Sequence, residues 1–270
     1  MTTSPQDHID KLLASLEKRG QETLERLAAL PKVKPCPHCS NDAHIDETSI
    51  WDDMGGYRDA VYVCPTCIAK AQRERFLAKL TRLGIPADVH EATLDNFRVD
   101  RPGVNTAYNS PQKLLEASKR FLAGEVRNLV LAGTVGIGKG HLGAALAICA
   151  IKAGKRVAWA ECAKLFAEYH DAYSTRGTEK VLAPLIRADL LVLDEVCLRK
   201  LPEDGEEILF NIIDPRHKAG RQTVLLGNKP AAETRAWLGE RIRDRLKSGG
   251  IAFCFGEWES MRGGECDGAF

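Results

Sequence analysis

The sequence has no excess of charge of either sign: 38 Lys and Arg stand against 37 Asp and Glu, a formal net charge of +1. That balance excludes a chain-wide electrostatic hold on nucleic acid, so any such contact has to be local. No apolar run approaches the roughly 18 residues needed to cross a bilayer. The first residues are polar and acidic, where a secretion signal would be basic and then apolar. The expectation is a cytoplasmic protein with no membrane partner. No internal repeat or low-complexity tract is visible. Nine cysteines would suit a disulfide scaffold, but the number is odd and no export signal precedes them. Cys149, Cys162, Cys197 and Cys254 lie in apolar stretches as small hydrophobes, and Cys266 lies in a Gly-rich tail. The 270 residues have room for one medium domain and a smaller accessory unit.

What is present divides near residue 83. Ile9, Leu12, Leu13, Leu16, Leu24, Leu27 and Leu30 recur at the spacing of one helical face, which ends at Pro31. Such a helix either packs on its own chain, pairs as a short coiled coil, or docks a partner. Cys36-Pro-His-Cys39 and Cys64-Pro-Thr-Cys67 follow as two CxxC turns with zinc-ribbon separation. Four thiolates complete a tetrahedron around Zn²⁺ and hold a unit too small for a hydrophobic core. His38 and His44 read as surface residues. Between the pairs lie Asp42, Asp46, Glu47, Asp52, Asp53 and Asp59 against Arg58 alone. Phosphate would be repelled, so the expected partner of this module is a protein surface. Residues 68–83 read as a connecting helix stopped by Gly84 and Pro86. The expected domains are therefore 1–83, with N-terminal helix, zinc ribbon and connecting helix, and 84–270.

The second part alternates strand and helix patterns. Strands are expected at 127–133, 155–160, 189–194, 223–227 and 251–255, with a helix over 139–153, which predicts an α/β fold with a five-stranded parallel sheet. The first strand runs into Gly133-Thr134-Val-Gly136-Ile137-Gly138-Lys139-Gly140, followed by His141. This is the G-x-x-x-x-G-K phosphate-binding loop without its usual final Ser or Thr. Its glycines let backbone N–H groups approach phosphate oxygens, the helix N-terminus attracts the anion, and Lys139 adds a point charge. The apolar run Leu190-Leu-Val-Leu ends in Asp194 and Glu195, with its tip expected beside that loop. Asp194 is the expected Mg²⁺ partner, and Glu195 the base that orients attacking water. With Gly140 lacking the hydroxyl that would help to hold Mg²⁺, ATP is expected to bind and to be hydrolysed slowly.

These segments resemble the DnaC/IstB-type AAA+ ATPases, which include helicase loaders and transposition helper ATPases. The resemblance covers residues 84–262. It rests on Gly84-Ile-Pro86 through Thr93-Leu-Asp-Asn-Phe97, the loop, the Asp194-Glu195 strand, Thr223–Asn228, Gly239–Leu246 and Trp258–Arg262. It implies that the α/β domain is an AAA+ ATPase working with ATP/ADP and Mg²⁺, and that Asn228 is a polar sensor rather than a turn residue. Arg245 becomes an arginine finger offered to a neighbouring subunit, so self-association is expected, and Arg262 a second sensor arginine. Arg241 and Arg243 either share in this or form a solvated face. In this family the stretch after the second strand can face single-stranded DNA. Here that stretch holds Lys164, Phe166, Tyr169, Tyr173, Arg176 and Lys180, with burial of Phe166 and Tyr169 in the core as the alternative. DnaI-type loaders similarly place a zinc-binding, helicase-docking module before the ATPase. The function implied is ATP-dependent loading of a replicative DNA helicase. A transposition helper ATPase and a nucleotide-gated adaptor without hydrolysis are the alternatives.

Overall fold

The computed structural model describes residues 32–35, 42–45, 62–99, 110–175 and 177–255. Two compact units divide the chain, Met1–Leu80 and Thr81–Phe270. The N-terminal helix pattern over 9–30, Cys36, Cys39, Arg176 and Arg262 lie outside the described residues. Among the described residues no helix is long and apolar enough to cross a membrane.

In the first unit, β1 (Lys32–Pro35), β2 (Asp42–Ile45) and β3 (Tyr62–Val63) form a small antiparallel sheet in that order. Pro35 pairs with Asp42, and Val63 with His44. Both outer strands therefore run the same way against β2, and each stops one residue before a CxxC pair. Helix α1 (Pro65–Arg82) starts at the second pair and closes its first turn with an Ile68 N–H to Cys64 carbonyl bond of 2.9 Å. This sheet carries no strong alternation, which is why the sequence did not announce it.

In the second unit, α2 (Pro111–Leu122) is capped by the Ser110 hydroxyl, which accepts from the Lys113 N–H at 3.2 Å. Then strands and helices alternate: β4 (Asn128–Ala132), α3 (Lys139–Lys152), β5 (Val157–Glu161), α4 (Cys162–Tyr173), α5 (Thr178–Arg187), β6 (Leu190–Val196), α6 (Gly205–Lys218), β7 (Gln222–Gly227), α7 (Ala231–Lys247) and β8 (Gly250–Cys254). All five strands are parallel, in the order β5-β6-β7-β4-β8. The five expected strands are all present, with ends shifted by a residue or two. Leu190 to Leu193 are at most 1% exposed, as suits strands covered by helices on both faces. β7 stands between the phosphate-loop strand β4 and the Asp194 strand β6. The strand tip next to the loop is thus that of Asn228, and Asp194 lies one strand further out.

Arg216 on α6 is 1% exposed and, among the described residues, makes no ion pair, although the charge of Asp189 reaches it. Its guanidinium donates to the carbonyls of Leu185 (2.6 Å) and Ala188 (2.7 Å) at the end of α5 and to the Thr223 hydroxyl (3.1 Å) on β7. It also reaches the Gln222 carbonyl. Helix α5 ends with carbonyls that lack intrahelical donors, and one cation satisfies several of them. Desolvation, helped by Arg221, brings its pKa down to about 9. Arg216→Ala should leave these buried acceptors unsatisfied and lower stability by roughly 3 kcal/mol or more, read as a lower urea midpoint at unchanged slope.

Candidate functional site

The loop after β4 is set at the carboxyl edge of the sheet by two backbone bonds. Gly133 N–H donates to the Gly227 carbonyl at 3.2 Å, and Phe255 N–H to the Ala132 carbonyl at 3.0 Å. A Cβ on Gly133 would come within 2.6 Å of Ile137 Cδ1 and 2.9 Å of Phe255 Cβ, so the backbone runs where a side chain has no room. Gly136 and Gly138 have φ of 83° and 95°, in the left-handed region, and Gly138 is the residue before the first turn of α3. These turns and the helix N-terminus suit an anion bound by backbone N–H groups. Lys139 is 5% exposed, and its Nζ donates to the carbonyls of Gly133 (3.0 Å) and Thr134 (2.6 Å), so its charge lies on the loop itself. At Gly140 a Cβ would meet nothing within 4 Å. The missing hydroxyl is therefore not forbidden by crowding.

His141 Nε2 lies 3.0 Å from the Thr93 carbonyl, and its ring is 5.8 Å from that of Phe97. The lead-in segment thereby packs on the first turn of α3. Within it Thr93 and Asn96 exchange hydrogen bonds, Thr93 N–H to Asn96 Oδ1 (2.8 Å) and Asn96 N–H to Thr93 Oγ1 (3.0 Å).

The carboxylates sit at the same edge. Pairing of β6 with β7 slips between Leu193 and Val196, and Glu195 has φ of 56°. A side chain in that conformation is strained, and here the strain falls on Glu195, one of the two residues expected to do chemistry. Glu195 N–H donates to Asp194 Oδ1 at 2.7 Å. Burial pushes the Asp194 carboxyl above its usual range, while that hydrogen bond and the Lys139 charge pull it back. Burial also raises Glu195, and a hydrogen bond to the Glu161 side chain raises it further. Glu161 ends β5 and is the register partner of Asp194. Sequence reasoning missed this third carboxylate, because nothing local marks it: only the pairing of β5 with β6 brings it to the pair. A cavity of about 330 Å³ opens onto all three, with Trp159 and Lys164 on its walls. Asn228 N–H bonds the Val196 carbonyl at 3.1 Å, which places Asn228 between the loop and the carboxylates.

The structure brings Gly133 to His141, Asp194, Glu195 and Asn228 together and leaves Arg245 elsewhere. Asn128, the first residue of β4, donates through Nδ2 to the carbonyls of Arg245 (3.4 Å), Leu246 (3.1 Å) and Ser248 (3.3 Å). Five-residue β4 spans about 13 Å, so Arg245 lies at the opposite edge of the sheet from its own Lys139. There its Nε is 2.8 Å from Asp214 Oδ1, and its Nη1 is 2.7 Å from Asp244 Oδ2. Arg241 lies over the Phe210 ring at 3.9 Å from its centroid, and Arg243 is exposed.

The set expected to face DNA is split. Phe166 is 7% exposed and packs 6.4 Å from the Trp237 ring, so it is a core residue and not part of an outer stacking face. Its place follows from the helix: Cys162, Leu165 and Phe166 are buried at i, i+3 and i+4, and Tyr169 at i+7 is half-buried. Lys164, Tyr173 and Lys180 are exposed; Lys164 lies 3.8 Å from Glu168.

The carboxylate cluster has a measurable consequence. Glu161 raises the pKa of Glu195, so Glu161→Gln should lower it, and the acid limb of any pH–turnover profile should move to lower pH. An unmoved limb would show that Glu161 does not act on Glu195.

Comparison with known proteins agrees with this geometry. Residues 74–246 match the family described as IstB-like ATP binding protein. The replicative helicase loader DnaC of Escherichia coli K12 is 28% identical over 220 residues, covering 80% of this chain and 86% of that protein. DnaC from Buchnera aphidicola (subsp. Baizongia pistaciae) is 26% identical over 247 residues, 88% of this chain and 94% of that one. The crystal structure of the DnaC helicase loader superposes with a TM-score of 0.52 at 20% identity, covering 60% of this chain and 96% of that chain. With a family match across more than half its length, a phosphate loop and an acid-tipped strand on one edge of a five-stranded parallel sheet, the chain belongs to the IstB-like ATP-binding proteins, and its fold is like that of the DnaC helicase loader.

Proposed function

We propose that this protein is an ATP-dependent loader of a replicative DNA helicase. The observation that carries the reading is the division of labour across the sheet: Lys139, Asp194, Glu195 and Asn228 share one edge, while Arg245 stands at the other. A cation so placed cannot serve its own nucleotide, and on a second copy it meets one. The active site is then complete only between protomers, which makes assembly part of the ATP cycle.

In this mechanism Lys139 leaves the Gly133 and Thr134 carbonyls for phosphate oxygens. Asp194 would hold Mg²⁺, which supplies positive charge to the phosphates. Glu195 accepts a proton from the attacking water, Asn228 orients that water, and the neighbour's Arg245 neutralises charge in the transition state. Arg262 acts as a second sensor on its own subunit's nucleotide. The Cys36, Cys39, Cys64 and Cys67 thiolates would hold Zn²⁺ in the N-terminal module. The parallel course of β1 and β3 toward the two pairs suits that set. This acidic module docks on the helicase, and Lys164, Tyr173 and Arg176 supply cationic and aromatic contacts to single-stranded DNA. The open space at Gly140 also favours a second reading, a nucleotide-gated adaptor that hydrolyses little.

Four measurements test this. Arg245→Ala should retain ATP binding by calorimetry and lose phosphate release by on the order of a thousandfold. Mixing it with Lys139→Ala should restore part of the activity, because each variant supplies what the other lacks; no recovery would rule out sharing between protomers. Gly140→Thr should raise turnover severalfold; an unchanged rate would show that the metal site is complete without the hydroxyl. The helicase hexamer should co-purify with the chain and be lost once zinc is stripped; retention would remove the docking role of the cysteines.

A further inference from the structure

Beside Glu195, away from the phosphate loop, a second cavity of about 180 Å³ opens between α4, the chain after β6 and α7. Its shape follows from two non-glycine residues in left-handed conformation, Glu195 (φ 56°) and Cys197 (φ 67°), which turn the chain sharply out of β6. Phe166 and Trp237 line its interior with their rings tilted by 45°. The Trp237 indole N–H donates to the Arg199 carbonyl at 2.8 Å, so α7 holds this turn in place. At the mouth Leu198 is 44% exposed. Arg199 and Lys200 follow on the rim, both exposed, and among the described residues neither side chain has a hydrogen-bond or ion-pair partner.

Two exposed cations, Arg199 acting on Glu195 through its charge alone and Lys200 beside it, border an apolar, aromatic recess and match one kind of chemistry: a flat ring carrying a phosphate on each side. We propose that this cleft seats one nucleotide of single-stranded DNA, its base against Trp237 and Leu198 and its phosphates between Arg199 and Lys200. The inference rests on the single-strand reading above and moves its centre. The outer face of α4 loses Phe166 to the core, and the same ring reappears on the inner wall of this recess. The inner wall also includes Glu195. A strand in the cleft therefore touches the side chain proposed to accept the proton of the hydrolytic water, which links strand occupancy to ATP turnover through one residue. The favoured ligand is an unpaired strand, because a base inside a duplex cannot leave its stack without an unpairing cost.

The test is titration of the full chain with oligothymidylate, followed by anisotropy and tryptophan emission. Wild-type chain should bind, with emission quenched. Arg199→Ala combined with Lys200→Ala, both surface changes, should weaken binding about tenfold or more. The slope of log affinity against log salt should become shallower by roughly 1. Trp237→Phe, which keeps an aromatic ring, should abolish the quench. Three results overturn the proposal: affinity within twofold of wild type in the double variant, a quench that persists without Trp237, or a double variant whose self-association changes and whose DNA affinity does not. Loss of binding in Lys164→Ala and Tyr173→Ala with full binding in the double variant would return the strand to the outer face of α4. No binding by wild type would instead remove the single-strand reading itself.

Discussion

Parallel pairing of β6, β7 and β4 is the constraint on which the rest depends. In a parallel sheet every strand delivers its carboxyl end to the same edge, and the loops that leave those ends form one surface. Ala132 pairs with Gly227, and Glu161 with Asp194. Four segments far apart in the chain thereby bring the phosphate loop, Asn228 and three carboxylates within reach of one another. Residues at the amino ends, Asn128 among them, cannot join that group. Whatever packs on Asn128, including the Arg245 turn, is committed to the other face of the domain.

Electrostatics sharpens this arrangement. Asp194 and Glu195 share one corner with Glu161 beside them; burial disfavours charge on Asp194 and Glu195, and Lys139 is the nearby cation that lowers the Asp194 pKa. A corner of this kind gains from any further positive charge that enters it, which is the physical sense in which it suits a metal-bound triphosphate. At Gly140 open space stands where the usual hydroxyl would be. Arg245 is held differently. Its hydrogen bond to Asp214, with Lys218 also on Asp214, keeps the Asp214 carboxyl below its usual range and fixes the guanidinium beside Phe210. Gly239, with φ of 71°, restarts α7 so that Ile242 and Leu246 are buried while Arg241 and Arg245 lie over Phe210.

The two units show opposite charge logic. The segment between the cysteine pairs is acidic, while the turn after β6 presents Arg199 and Lys200. An acidic segment and a cationic turn are thus local biases of opposite sign in a chain whose net charge is +1.

The phosphate loop, the acid-tipped strand and the alternation of strands with helices were legible in the sequence, because each depends on local requirements: glycine where φ is positive, four apolar residues where both sheet faces are covered, a lysine one step inside a helix. Burial of Phe166 was legible only as an alternative, since helical spacing does not say which face meets the core. Glu161 beside Asp194, the Arg216 cation among carbonyls, the place of Asn228 between loop and carboxylates, and Arg245 at the far edge were decided by tertiary structure alone. Strand order joins residues distant in the chain, and no local pattern records which strand lies next to which.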